Sequence, residues 1–436
     1  MTEEPPVSVR DTLRATPATV RYLLTGVLVN QLAAFVQTFL VLYLTHRGLS
    51  LSLAGLCLGA YSLGTVFGTV LGGELTTRLG PRGTIVLAMA GSAPLVAVLP
   101  WVSRPGLLWL LLLVVAAAGL LAQAYRPAAA VLLSDLMPER FQVMAFSMMR
   151  IALNTGAALA PLIAAAVILA DWNLLFWVDA ATTLVYAALA LALLPGRTAP
   201  AAAADAPDAP GAPADDAPVP AVSGRAAYAA MLRDRRYLAY LLSVLLGTVT
   251  YVQSSVSLPL EIVHDRYPTG LYSAVLVLSS VVLITCELKI TSYIVRLPTH
   301  RAVVTGHLVN AAGLAVYALA VHSAAIVLLG ALLAISGLMI AGPSMFAHPA
   351  SFPAALKARY LSTMQAVAGL AMALGPLFGV YAWHGLGSGF WLLCGAVTVV
   401  AGLLAMYGLD RAAEQPPVPS VDAGAQREAD VIGGTA

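Results

Sequence analysis

Twelve apolar runs, each near the 20 or so residues that a helix needs to cross a bilayer, set the limits on what this chain can fold into. They occupy 20–45, 53–74, 83–101, 107–134, 144–170 and 174–195, then 237–262, 270–293, 302–320, 324–348, 358–383 and 388–408. Backbone in lipid must hydrogen-bond within its own segment, so runs of this length read as helices. Hydrophobic residues make up 60% of the chain and charged residues only 10%, against about 25% charged in soluble domains. The expected fold class is an all-α membrane protein, with the lipid bilayer as its first partner.

One long interruption divides the runs six and six. Residues 1–19 read as a cytoplasmic N-terminal segment, 20–195 as a first six-helix bundle and 196–236 as a disordered linker. Residues 237–408 read as a second bundle and 409–436 as a disordered cytoplasmic tail. The linker, TAPAAAADAPDAPGAPADDAPVPAVSG for most of its length, has prolines and small residues but nothing to pack as a core. Arg233, Arg235 and Arg236 at its end would hold the seventh span at an anionic leaflet. The N-terminal stretch lacks the apolar region of a cleaved signal. With both termini in the cytoplasm, only Arg47, Arg104 and Arg266 fall outside, and Arg126 and Lys289 fall within spans; the positive-inside rule favours that orientation. Arg outnumbers Lys 21 to 2, which points to a high-GC bacterial genome and a bacterial inner membrane. Cys57, Cys286 and Cys394 are odd in number and far apart, so they read as core thiols, with neither disulfides nor a metal site. A net charge of +2 gives no ground for a nucleic-acid partner.

The halves echo each other. At an offset of 215 residues Ala160-Pro161-Leu162-Ile163-Ala164 falls on Gly375-Pro376-Leu377-Phe378-Gly379, Pro138 on Pro353 and Phe176 on Trp391. A duplicated six-helix unit of this kind places its binding site between the two copies. In the second span Gly64, Gly68 and Gly72 recur every fourth residue, preceded by Gly55 and Gly59. Such a stripe lets another helix lie close. It runs into a short loop whose charges are Glu74, Arg78 and Arg82.

The pattern G-x-x-x-x-R-x-G-x-R from Gly73 to Arg82 resembles the signature loop between helices 2 and 3 of major facilitator superfamily transporters, with Thr77 where that family carries Asp. Three further segments resemble the twelve-helix drug:proton antiporter-like exporters of that family: Tyr125-Arg126-Pro127-Ala128, Ser134 to Arg140, and Arg150 to Gly156. Ala160-Pro161 stands for their Gly-Pro signature, better preserved at Gly375-Pro376, and Leu338 stands where many relatives have Glu. The resemblance implies two pseudo-symmetric six-helix bundles that rock about a central cavity, in a monomer. It also implies a gating loop at Gly73, Arg78, Gly80 and Arg82, a sliding face at Gly64, Gly68 and Gly72, and helix packing at Pro161, Gly375 and Pro376.

A charge at the centre of a membrane helix costs about 2.5–3.5 kcal/mol on insertion scales, so each one needs a role. Arg126 is a candidate to bind an anionic substrate group, to balance a titrating acid, or to pair structurally. Glu287 in the eighth span is the leading proton carrier with Arg126 as counter-charge; a salt bridge to Arg296 is the plainer alternative. Asp179 is a further coupling candidate, or a cap near the outer surface. Asn30 and Gln37 lie seven apart on one face of the first span, and Tyr251 and Gln253 sit in a polar strip of the seventh. With Arg126 these four are expected to line the substrate cavity.

No Walker A, H-E-x-x-H or G-x-S-x-G pattern occurs, so neither an enzyme nor a cofactor is expected. The function expected is proton-coupled efflux of a small drug-like or secondary-metabolite compound by alternating access. An uptake permease for a small metabolite, and a non-transporting membrane sensor on the same fold, stay open.

Overall fold

The computed structural model describes residues 7–196, 224–268, 270–320 and 323–409. The first half contains α1 (Val9–Ala15), α2 (Ala18–Leu32), α3 (Phe35–His46), α4 (Leu51–Val102), α5 (Leu108–Leu136), α6 (Gln142–Ala170) and α7 (Leu174–Leu193). After α8 (Gly224–Arg233), the second half contains α9 (Arg235–His264), α10 (Gly270–Ile294), α11 (Thr299–Tyr317), α12 (Ala324–Ala347), α13 (Ala354–Leu386) and α14 (Gly389–Leu409).

Ten stretches among the described residues are long and apolar enough to cross a membrane. One of them is α4, whose 52 residues would run about 78 Å if straight, more than twice the ~30 Å hydrocarbon layer. Gly80 turns it. Its φ of 78° and ψ of 166° lie in a region open essentially to glycine alone, and Pro81 has no N–H to continue the ladder. Thus α4 is two spans, α2 and α3 together make one, and α11 completes twelve spans in two bundles of six. The repeat is visible in the helix starts. Pro138 and Pro353 both sit in extended backbone just before the fifth span of their half. Phe176 and Trp391 are both fully buried near the start of the sixth.

The glycine stripe packs inside one bundle. Gly64, Gly68 and Gly72 lie on the backbone of α5 at Ala116, Leu120 and Ala124, so close that a Cβ would collide with their carbonyl groups. The expected sliding face between bundles is therefore corrected. One residue further along, about 100° round the helix, Gly73 is the position that meets the other bundle, at Ser362 and Ala358 of α13. Gly55 and Gly59 face open space.

The first span is broken at Ala33–Ala34. The N-terminus of α3 would be left with unpaired donors in a buried setting, and Asp179 of α7 satisfies them. Its Oδ2 accepts the N–H groups of Phe35 at 3.1 Å and Val36 at 3.4 Å, while Oδ1 accepts from Thr183 at 3.4 Å. A carboxylate placed against a helix N-terminus also complements the dipole.

The bundles meet at the end that carries the 73–82 loop. One apolar core there takes Tyr125 and Phe146 from the first half together with Tyr237, Val303 and Tyr360 from the second. Toward the opposite end the cores separate, one around Tyr43 and Phe176 and another around Tyr317 and Trp391. Residues Gly224–Arg233 form α8, which corrects the expectation of structureless linker up to residue 236. Asp234 ends it by capping α9, accepting the N–H groups of Arg236 and Tyr237, both at 3.0 Å. Residues 197–223 of the linker and 410–436 of the tail lie outside the described residues.

Candidate functional site

Between the bundles, toward the 73–82 end, lies a cavity of about 340 Å³. Arg126, Arg150 and Asn154 reach it from the first half, and Ser243, Tyr251, His307 and Asn310 from the second. The α5 helix fixes Arg126 through its neighbour Tyr125, whose ring packs edge-on against Tyr186 with centroids 5.5 Å apart. Tyr186 in turn occupies the space left by Gly26, where a Cβ would overlap the ring. Among the described residues Arg126 has neither an ion pair nor a hydrogen bond, and its Nε is buried without a partner.

Arg150 lines the cavity and also reaches through to the second bundle. Its Nε lies 3.1 Å from Glu287 Oε1, with the two side chains 8% and 0% exposed. Its Nη1 donates to the Leu338 carbonyl at 3.2 Å. Gly342 makes this possible, because a Cβ there would occupy the guanidinium's place. One turn away a 2.7 Å hydrogen bond joins Ser147 to Thr291. These contacts tie α6 to α10 and α12. Glu287 therefore pairs with Arg150, and the expected partners Arg126 and Arg296 are corrected: Arg126, on α5, makes no ion pair among the described residues, and Arg296 follows α10 beyond its last turn.

Nearer the loop, the carboxylate of Glu74 sits between two arginines. It accepts from Arg78 at 3.0 Å on its own helix and pairs with Arg359 of α13 at 3.2 Å. Lys357 reaches Asp135 at 2.7 Å across the same gap. Arg82 donates to the Leu191 carbonyl of α7 and so anchors the turn at Gly80 within its own bundle.

The other expected cavity residues go elsewhere. Asn30 accepts from Thr183 at 3.2 Å, joining α2 to α7. Gln37 is exposed and lies beyond the break at Ala33–Ala34, so the straight-helix argument that put it on one face with Asn30 fails. Gln253 is fully buried and donates to the Val249 carbonyl at 2.7 Å and the Gly375 carbonyl at 3.0 Å. Packed against Gly379, it fastens α9 to α13 at the turn before Pro376. Pro161 lies within α6. Asp179 holds the broken first span as described. Only Arg126 and Tyr251 of the five line the cavity.

A sequence model of the Major Facilitator Superfamily matches residues 23–354, most of the helical chain. The chain belongs to that superfamily. This facilitator is 24% identical over 286 residues to an uncharacterized MFS-type transporter, YqjV, of Bacillus subtilis (strain 168), a match covering 64% of this chain. The chain spans 65% of that relative's length, just short of two thirds. Among solved structures it resembles the human organic anion transporter MFSD10, with a TM-score of 0.68 at 15% identity, covering 89% of this chain and 98% of that one. It also resembles FucP in the outward conformation, with a TM-score of 0.67 at 16% identity, covering 92% and 100%. A bacterial homologue of the iron transporter ferroportin in the outward-facing state gives 0.70 at 16% identity, covering 90% and 98%. At these identities the likeness is one of fold. The chain is a multi-pass membrane protein of a transporter family.

Sequence reasoning about this facilitator gave three residues no role in the site. Arg150 stands near the start of its span, where a basic residue reads as interfacial. Glu261 stands near the end of its own, yet it is buried and holds Trp383 and, at 2.8 Å, Ser388 at the far end of the second bundle. Arg359 follows a proline-led helix start and reads as loop charge. Gly342 was the available signal for Arg150, since a glycine before a proline in a membrane helix marks a close approach.

Proposed function

We propose that this facilitator is a secondary active exporter of small amphipathic compounds, driven by protons, with Glu287 as the proton carrier and Arg150 as its link to the cargo. One observation carries the reading: a single side chain, Arg150, both lines the cavity and pairs with the buried carboxylate across the bundles. A proton that neutralises Glu287 therefore frees the same guanidinium that faces whatever occupies the cavity.

With the 73–82 end in the cytoplasm, as the placement of basic residues supports, the bundles are closed on the cytoplasmic side. A proton entering from outside neutralises Glu287 and leaves Arg150 buried without a counter-charge, a costly arrangement. Separating α6 from α10 relieves it and opens the cavity inward. Release of the proton to the cytoplasm, as cargo enters, restores the pair and turns the cavity outward. Glu74–Arg359 and Asp135–Lys357 act as outer clasps on the same closure, with Glu74 in the place of the missing loop Asp.

The test is accumulation of a labelled drug panel in an efflux-deficient bacterium, with and without a protonophore. The chain should lower accumulation of some compounds, the protonophore should abolish the difference, and Glu287→Gln should do the same at equal expression. Proton-driven export that survives in Glu287→Gln would sink the coupling assignment. Raised accumulation would reverse the direction to uptake.

A further inference from the structure

We infer that the cavity selects amphipathic organic monoanions, and that Arg126 is the residue that reads the charge. The inference rests on the transport reading above and specifies its cargo. Among the described residues that line the cavity there is no Asp or Glu, while two arginines reach it. Those two are not equivalent. Arg150 is matched by Glu287 at 3.1 Å. Arg126 has no ion pair or hydrogen bond among the described residues, and its Nε is buried and unpartnered.

A guanidinium does not shed its proton in a protein, so the cavity holds one uncompensated positive charge inside the membrane. Such a charge is expensive and marks a substrate or ion path by default. A carboxylate or sulfonate would pay that cost and accept the guanidinium's parallel N–H groups. Ser243, fully buried, and Asn310 also line the cavity, and Ser243 Oγ and Asn310 Oδ1 lack partners; the Ser243 hydroxyl is a further donor for an anion. Most of the remaining lining is apolar, with Leu153, Met345, Phe346, Met364 and Met372 beside the polar Asn154, Tyr251 and His307. Methionines adapt to varied apolar shapes. One anionic head and an apolar body fit this division, and about 340 Å³ is the small end of the roughly 300–1,000 Å³ of ligand pockets. A cation would meet the unpaired Arg126 guanidinium with no carboxylate lining the site among the described residues, which selects against it.

The experiment uses the full chain in proteoliposomes and three probes on one skeleton: labelled naphthalene-2-carboxylate, its primary amide, and the corresponding aminomethyl cation. Counterflow should be at least about tenfold faster for the carboxylate. Arg126→Met should abolish it, and Arg126→Lys should keep part of it. In ligand-free protein Arg126→Met should also raise the melting temperature by about 2 °C or more, because it removes an unpaired charge. A structural arginine would give a fall instead.

Exchange of the amine or the amide at the carboxylate's rate overturns the anion assignment and leaves the transport reading standing. So does parental exchange of the carboxylate by Arg126→Met. If none of the probes exchanges, transport fails for this set, and the melting comparison decides the charge assignment alone: a lower melting temperature in Arg126→Met overturns it.

Discussion

Glu287→Leu should destabilise the purified protein by about 3–5 kcal/mol, and Arg150→Met/Glu287→Leu should recover most of that loss. The reason lies in the burial of the pair, at 8% and 0% side-chain exposure. Removing the carboxylate strands a guanidinium among α6, α10 and α12, where only the Leu338 carbonyl still accepts from it. Replacing both partners by apolar side chains of similar volume removes the stranded charge together with its desolvation cost. Arg150→Met alone should cost less than Glu287→Leu, because a stranded carboxylate is neutralised by one proton and a stranded guanidinium is not. Thermal melts of the three variants in detergent measure the order. Equal stability of Glu287→Leu and the parent would mean that the pair is not buried as described.

The second large effect concerns α4. Gly68→Leu should leave little folded protein in the membrane, whereas Gly59→Leu should accumulate and melt as the parent does. A side chain at Gly68 would enter the backbone of Leu120, which has no freedom to retreat, while Gly59 has nothing within 4 Å. Overpacking a side-chain contact costs typically 1–3 kcal/mol; a collision with helix backbone forces α4 and α5 apart along their length. Monodisperse yield by size-exclusion chromatography reads both variants. Comparable yields from the two would show that the stripe is not the packing face.

The contrast between those two glycines also shows what the sequence could and could not disclose. Spacing alone marked Gly55, Gly59, Gly64, Gly68 and Gly72 alike, and only the fold separates the three that touch α5 from the two that face open space. The architecture was legible because each span is a long apolar run, and because Pro138 and Pro353 begin equivalent helices in the two halves. Ion pairing was not. Glu287 was visible as a costly buried acid, but its partner depends on which way α6 faces, and Arg150 near a span's start looks like an interfacial charge. The break at Ala33–Ala34 has neither Gly nor Pro to announce it, since a carboxylate on a distant helix, Asp179, stabilises it. Gln37 was misplaced as a direct consequence. Arg126 and Tyr251 were found because a charged residue and a polar strip inside the membrane are costly wherever they point.

The central claim is that the charge on Glu287 holds the bundles together at the 73–82 end. The most direct measurement is the distance between spin labels at Glu139 and Ala354, both exposed and on opposite sides of that closure, in reconstituted protein at neutral pH. Glu287→Gln, which carries no charge but keeps the shape, should move the distribution from the short distance of the parent toward a longer one. Identical distributions in the parent and in Glu287→Gln would contradict the account, because the closure would then be held without that charge.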